Sequence, residues 1–173
     1  MKDLDGSCYS GSGTIVRQAM SLAALTGTDI RITNIRSKRP HPGLRLQHTW
    51  VVEAIRGLVG GKADGNDVGS STLAFKPGRE AVRTRYGWDI GSAGSTILLA
   101  QALLPLVAFH RHEATIQLRG GVFQDFAPSF YHLDHSLLPL LRRMGLPVAA
   151  RMLRPGYVPR GRRGDRARRR ATA

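Results

Sequence analysis

The chain has 173 residues, 42% of them hydrophobic, and a formal charge of +14 with a pI near 11.4. That length and apolar content can bury a real core and exclude disorder throughout, as one domain or as two small packed units. The positive charge favours nucleic acid, a nucleotide or another acidic surface as partner.

Met1 to Cys8, MKDLDGSC, lacks the apolar run of an export signal, and the sole cysteine, Cys8, has no second cysteine to pair with inside the chain. The expectation is a cytoplasmic protein. In chain order, Thr14 to Leu25 predicts a helix with Ile15, Ala19, Leu22 and Met20 or Ala23 on its inner stripe, closed by Thr26-Gly27. Ile30 to Ile35 predicts a strand, with Ile30, Ile32 and Asn34 on one face. A second helix runs from Pro42 or Leu44 through Val59, carrying Val51, Val52, Ile55, Leu58 and Val59 at helical spacing; Gly57, Gly60 and Gly61 mark its end.

Two strands follow, Ser71 to Phe75 and Val82 to Trp88, separated by the turn Lys76-Pro77-Gly78-Arg79. From Ser92 the order begins again, with a helix to about Phe109 and a strand from Ala114 to Leu118. After the Gly120-Gly121 turn come a helix from about Tyr131 to Met144 and a strand from Val148 to Leu153. The apolar run Ile97 to Phe109 is interrupted by Gln101 and Pro105 and falls short of the roughly 18 residues of a membrane span, so it reads as a buried helix. The expected fold is α/β of the α+β type, tandem related units with helices packed on mixed sheets. Residues 1–88 form the first unit, 89–158 a second, incomplete one, and 159–173 a basic tail.

Two glycine and serine turns place backbone amides where helices begin: Gly11, Ser12, Gly13 and Thr14, then Gly91, Ser92, Gly94 and Ser95. Free amides at such ends bind anions, and ordinary capping is the plain alternative. Neither turn matches GxxxxGK[ST] or GxGxxG in its required context. Arg17 and Gln101 each lie on the helix just beyond a turn. The densest polar cluster is Arg36, Lys38, Arg39, His41, Arg45, Gln47 and His48, held around Pro40 and Pro42-Gly43. Arginine forks match phosphate oxygens, and glutamine can read a base edge or a ribose hydroxyl; a solvated basic loop is the bland reading.

Arg151 to Arg170 holds nine arginines against one aspartate, so this end accounts for +8 and leaves +6 for the rest. The tail reads as a solvated extension or an auxiliary nucleic-acid contact.

The segments GSGTIVR at 11–17, IRSKRPHPGLRLQH at 35–48, FKPG at 75–78, DIGSAGSTILLAQALLP at 89–105, RGG at 119–121, APSF at 127–130 and LPLLRRMG at 138–145 occur in order. In them the chain resembles the N-terminal half of the RNA 3'-terminal-phosphate cyclase family, from Asp5 to about Pro159. The resemblance implies an ATP-dependent enzyme that transfers AMP to an active-site histidine and on to an RNA 3'-phosphate, after which the 2'-hydroxyl displaces AMP and leaves a 2',3'-cyclic phosphate. It implies ATP and Mg²⁺ as cofactors and RNA with a 3'-phosphate end as partner, with no membrane. It also places Arg17, Arg36, Arg39, Gln47 and Gln101 in nucleotide or RNA-phosphate binding.

The departures are informative. The family turn reads like GEGGGQ where this chain has Tyr9 to Thr14, YSGSGT; Ser10 replaces the acidic residue, which weakens the expectation of a metal, and Thr14 replaces glutamine. Tyr131-His132 stands where the family has an Asp-Tyr pair. None of His41, His48, His110, His112, His132 and His135 matches the family's adenylated histidine, which lies further downstream, and surface or packing roles are expected of them. After Arg160 the apolar pattern vanishes, which reads as a truncated or frameshifted gene end. Catalysis then requires another nucleophile or a partner chain, and the alternative is a non-catalytic RNA-binding relative. Faces that later repeats would cover are expected to favour self-association.

Overall fold

The computed structural model describes residues 1–78, 83–109 and 113–157. The tail at 159–173, His110, His112 and the start of the predicted strand at Val82 lie outside the described residues.

The chain opens with β1 (Lys2–Asp5), α1 (Gly13–Thr26) and β2 (Ile30–Thr33). Ser12 caps α1, its hydroxyl accepting the Thr14 amide at 3.3 Å, and Gly27 ends the helix in the left-handed region at φ 66°. β1 and β2 run parallel, Lys2 opposite Ile30, so the three elements form a β-α-β crossover. α2 (Leu46–Val59), β3 (Lys62–Asp64) and β4 (Leu73–Lys76) follow. β4 inserts antiparallel between β2 and β3, which gives the sheet order β1-β2-β4-β3. The pattern then recurs as β5 (Arg85–Asp89), α3 (Thr96–Phe109) and β6 (Thr115–Arg119), with β5 and β6 parallel in a second sheet.

Helices and sheets share one apolar interior. Met20 and Val16 of α1, Ile32 of β2, Phe75 of β4, Ile55 and Leu58 of α2, and Leu99, Leu103 and Leu106 of α3 are all buried in it. Tyr86, Trp88, Ile116 and Leu118, the inner face of the second sheet, pack against the same cluster. The core therefore contains residues from both sides of position 88. Ser21 ties α1 to α3, its hydroxyl 2.7 Å from the Ala102 carbonyl. Pro105, inside α3, has no N–H and withdraws the usual helical donor from the Gln101 carbonyl.

The structure corrects the sequence reading at five places, the first being the inner stripe of α1, where Val16 is buried and Leu22 is exposed. β1 and β3 are short edge strands of charged composition, KDLD and KAD, with no apolar alternation to betray them. The strand predicted through Ile35 ends at Thr33: Asn34 turns left-handed at φ 52°, which exposes its side chain and swings Ile35 into the core. The predicted helix at 131–144 is α-helical over Phe130–His132 and Leu138–Arg143 but widens to a π-turn over Leu133–Leu137. Pro139, lacking an amide hydrogen, follows directly on that expansion. Finally, Val148 to Leu153 forms no strand. Most of its residues are exposed, and the nearest pairing is a single bridge between Phe123 and Tyr157.

Candidate phosphate site

The Gly11–Thr14 turn and the basic loop at 35–48 come together at the N-terminal ends of α1 and α2. The contact is close at two points. A side chain added to Gly11 would lie 3.5 Å from Lys38 Cβ, and one added to Gly13 would lie 2.0 Å from His48 Nε2. Gly13 is thus the residue that lets α1 abut the imidazole. Its amide, at the open end of the helix, makes no hydrogen bond among the described residues, whereas Gly11 donates to the Cys8 carbonyl at 2.8 Å.

His48 is the hub. It is buried in the first turn of α2, where its Nδ1 accepts the Arg45 amide at 2.9 Å and its own amide donates to the Arg45 carbonyl at 2.7 Å. An accepting Nδ1 puts the ring proton on Nε2. Burial, then the charges of Arg17, Arg36 and Arg45, push its pKa down to about 3. Arg17 of α1 and Arg36 and Arg45 of the basic loop thus set positive charge in the neighbourhood of a neutral imidazole.

Each arginine is held differently. Arg17, half-buried on α1, donates from Nη2 to Thr14 Oγ1 at 2.9 Å, and burial lowers its pKa from the usual value. Arg36 sits left-handed at φ 55° and uses Nη1 to hold the loop closed, donating to the carbonyls of His41 at 2.6 Å and Gly43 at 2.9 Å. Its pKa is lowered by burial and by the neighbouring Arg45 and Arg39. Arg39 is exposed and its side chain makes no hydrogen bond among the described residues. Among the described residues the only carboxylate bridges are Arg56 to Glu53 and His135 to Asp134, so no acid neutralises this group.

The loop is built, not merely charged. Gly43, at φ 78°, passes so close to the β3–β4 connection that a side chain there would meet the Gly69 carbonyl oxygen at 2.2 Å. Leu44 and Gly69 exchange backbone hydrogen bonds with that connection and back: Leu44 N–H to Ser70 O at 2.9 Å, and Gly69 N–H to Leu44 O at 2.8 Å.

The second turn approaches from the other side. A side chain on Gly94 would lie 3.0 Å from Gln47 Cβ, so Gln47 stands between the basic loop and the Gly91–Ser95 segment. Two of the turn's amides are used internally, Gly91 donating to Asp89 Oδ1 at 2.8 Å and Gly94 to Ser92 Oγ at 3.2 Å, and Leu98 of α3 donates to Ser95 Oγ at 3.1 Å. Gln101 is half-buried on α3, next to the Ala102 that Ser21 tethers to α1. In both turns part of the amides is used internally, in the first by Gly11 to Cys8 and Thr14 to Ser12, and in each the remaining amides make no hydrogen bond among the described residues.

Among the described residues no three carboxylate, imidazole or thiol groups converge, and the side chains about the first turn are hydroxyls, cations and the neutral imidazole of His48. This donor set, without a carboxylate, does not fit Mg²⁺.

Arg45 and His48 stood in the basic cluster read from the sequence, but the hydrogen bond that joins them was not expected there. The signal was there: LRLQH opens the second helix, and a histidine three residues into a helix can accept the amide of the residue before it.

The architecture is that of an α/β protein with β-α-β units, whose first crossover brings a glycine turn against a basic loop. Comparison with known sequences agrees and goes further: the profile of the RNA 3'-terminal phosphate cyclase family matches residues 8–167, and the chain belongs to that family. An RNA 3'-terminal phosphate cyclase of Methylococcus capsulatus is 40% identical over 164 residues, 91% of this chain and 45% of the relative. That of Ectopseudomonas mendocina is 42% identical over 160 residues, 92% of this chain and 46% of the relative. That of Pyrococcus furiosus is 37% identical over 158 residues, 91% and 46%. The chain spans about half the length of the curated relatives it matches. No helix among the described residues is long and apolar enough to cross a membrane.

Proposed function

We propose that this chain carries the RNA-end-binding half of an ATP-dependent RNA 3'-terminal phosphate cyclase, which converts an RNA 3'-phosphate to a 2',3'-cyclic phosphate. The observation that supports it is the contact of Gly13 with His48, which joins the turn where Thr14 holds Arg17 to the loop carrying Arg36, Arg39 and Arg45, with no carboxylate bridge to these arginines among the described residues. Uncompensated cations held in fixed places raise the free energy of the empty site and lower it when a dianionic phosphate enters. In this reading Arg36 and Arg39 receive the terminal phosphate, with the free Gly13 amide and Arg17 beside them. Gln47 and Gln101 face the nucleotide or ribose hydroxyls. ATP supplies the AMP that makes the terminal phosphate a good electrophile; the residues here hold that phosphate and orient the 2'-hydroxyl.

Turnover needs a nucleophile as well. His48 is buried and clamped between Arg45 and Gly13, which suits it to shaping the seat and not to accepting AMP. This favours a second reading, an RNA-end binder that does not turn over by itself. Incubation of the full chain with α-labelled ATP and Mg²⁺, followed by denaturation, separates the two. An acid-labile, base-stable protein adduct supports turnover, and its absence from a folded sample supports binding alone. The phosphate reading is tested by Arg39→Ala, which is expected to weaken binding of a 3'-phosphorylated oligonucleotide about tenfold and of the 3'-hydroxyl form far less. Equal losses for both would refute it.

A further inference from the structure

Next to the phosphate seat stands an aromatic side chain that the fold does not use. Tyr9 is 97% exposed, and its backbone lies in the left-handed region at φ 51°. The Gly11 amide donates to the Cys8 carbonyl at 2.8 Å, so Tyr9 occupies the first central position of a tight turn. Turns with a positive φ there take glycine, because a Cβ is penalised in that conformation. A tyrosine at this place strains the turn and buries nothing in return. Strained residues of this kind persist where a ligand uses them.

The position suggests which ligand. Tyr9 is two residues before Gly11, which packs on Lys38 of the basic loop, and four before Gly13, which packs on His48. An exposed ring at the edge of a cationic seat has the chemistry of a base-stacking platform, since every nucleobase offers a π-face and the charge nearby holds the backbone phosphate.

We propose that Tyr9 stacks on a base at the 3'-end of the bound RNA, within reach of the phosphate held by the arginine cluster. This rests on the phosphate-binding reading above and adds a contact to the base. It predicts a division of effects that a merely structural tyrosine would not produce. On the full chain, Tyr9→Gly should relieve the turn and raise the thermal midpoint, yet weaken binding of a 3'-phosphorylated single-stranded RNA hexamer about tenfold, the loss of one base–aromatic stack. Tyr9→Phe should bind like the wild type. With the last two nucleotides made abasic, wild type and Tyr9→Gly should bind alike.

If Tyr9→Gly binds the base-bearing hexamer as tightly as the wild type, or loses the same factor on the abasic one, the stack does not exist. Weaker binding of ATP with RNA binding unchanged would overturn the proposal equally, by giving the ring to the nucleotide. The phosphate reading fails on a different observation, equal wild-type affinity for 3'-phosphate and 3'-hydroxyl ends.

Discussion

Lowering the pH should destabilise this protein through one residue, His48. Its pKa in the folded state is pushed down to about 3, first by burial and then by Arg17, Arg36 and Arg45, whereas an unfolded histidine titrates near 6.5. Between those values the unfolded chain binds a proton that the folded chain refuses. Stability from this group is therefore complete above about pH 6.5 and is lost as the pH falls toward 3. At about pH 5 the loss is roughly 2 kcal/mol, and each further unit down to 3 removes about 1.4 kcal/mol more. The control is His48→Asn, whose side-chain oxygen can still accept the Arg45 amide but which does not titrate. Its smaller volume costs stability at neutral pH, so the informative quantity is the difference between the two proteins as the pH changes. His41, His132 and His135 are exposed and common to both proteins, so they drop out of the comparison. Urea unfolding followed by the fluorescence of Trp50 and Trp88 at about pH 7.5 and about pH 5 should show the gap narrowing by roughly 2 kcal/mol. A gap that stays constant would mean that His48 takes up its proton in the folded state, and the clustering of arginines about a dry imidazole would be wrong.

Three further outcomes follow from the same geometry. Arg36→Ala should cost about 2 kcal/mol of stability as well as RNA binding, because it removes the two loop-closing bonds to His41 and Gly43, whereas Arg39→Ala should change stability by less than about 0.5 kcal/mol; calorimetry distinguishes them. Gly13→Ala would drive a methyl group to 2.0 Å from His48 Nε2, so it should lower stability by about 1–3 kcal/mol and weaken binding of a 3'-phosphorylated RNA, read by denaturation and by titration. We also expect self-association. Among the described residues β6 has no partner at the place where β4 pairs with β2 in the first sheet, and Leu140, Met144 and Leu153 are exposed further along the chain. Sedimentation equilibrium should show mass rising with concentration, and a monomer at every concentration would count against it.

Much of this was legible in the residues. The helix at Thr14–Leu25, the second through Val59 and the third to Phe109 followed from apolar spacing and glycine stops, because each has one face in a shared core. β1 and β3 were not legible, since an edge strand of charged residues has no buried face to impose alternation. The sign of Ile35 was misread for a local reason: a single left-handed residue, Asn34, inverts the facing of all that follows. The site was legible as a list of arginines but not as an arrangement. Nothing in the spacing of Arg17, Arg36 and Arg45 says that a buried histidine would stand among them; that depends on the contact between Gly13 and α2, which is a property of the packed chain. The two glycine turns looked alike in sequence, and each spends two of its amides internally, Gly11 and Thr14 in the first and Gly91 and Gly94 in the second.

The measurement that bears most directly on the account is the affinity of the full chain for two RNA hexamers identical except at the 3'-end, one phosphorylated and one hydroxylated, at a fixed near-physiological salt concentration. A built seat of arginines and a free helix amide predicts at least about tenfold tighter binding of the phosphorylated end. Equal affinities that fall together as salt is raised would show that only bulk positive charge is at work, and would contradict the claim that this fold holds an RNA terminus.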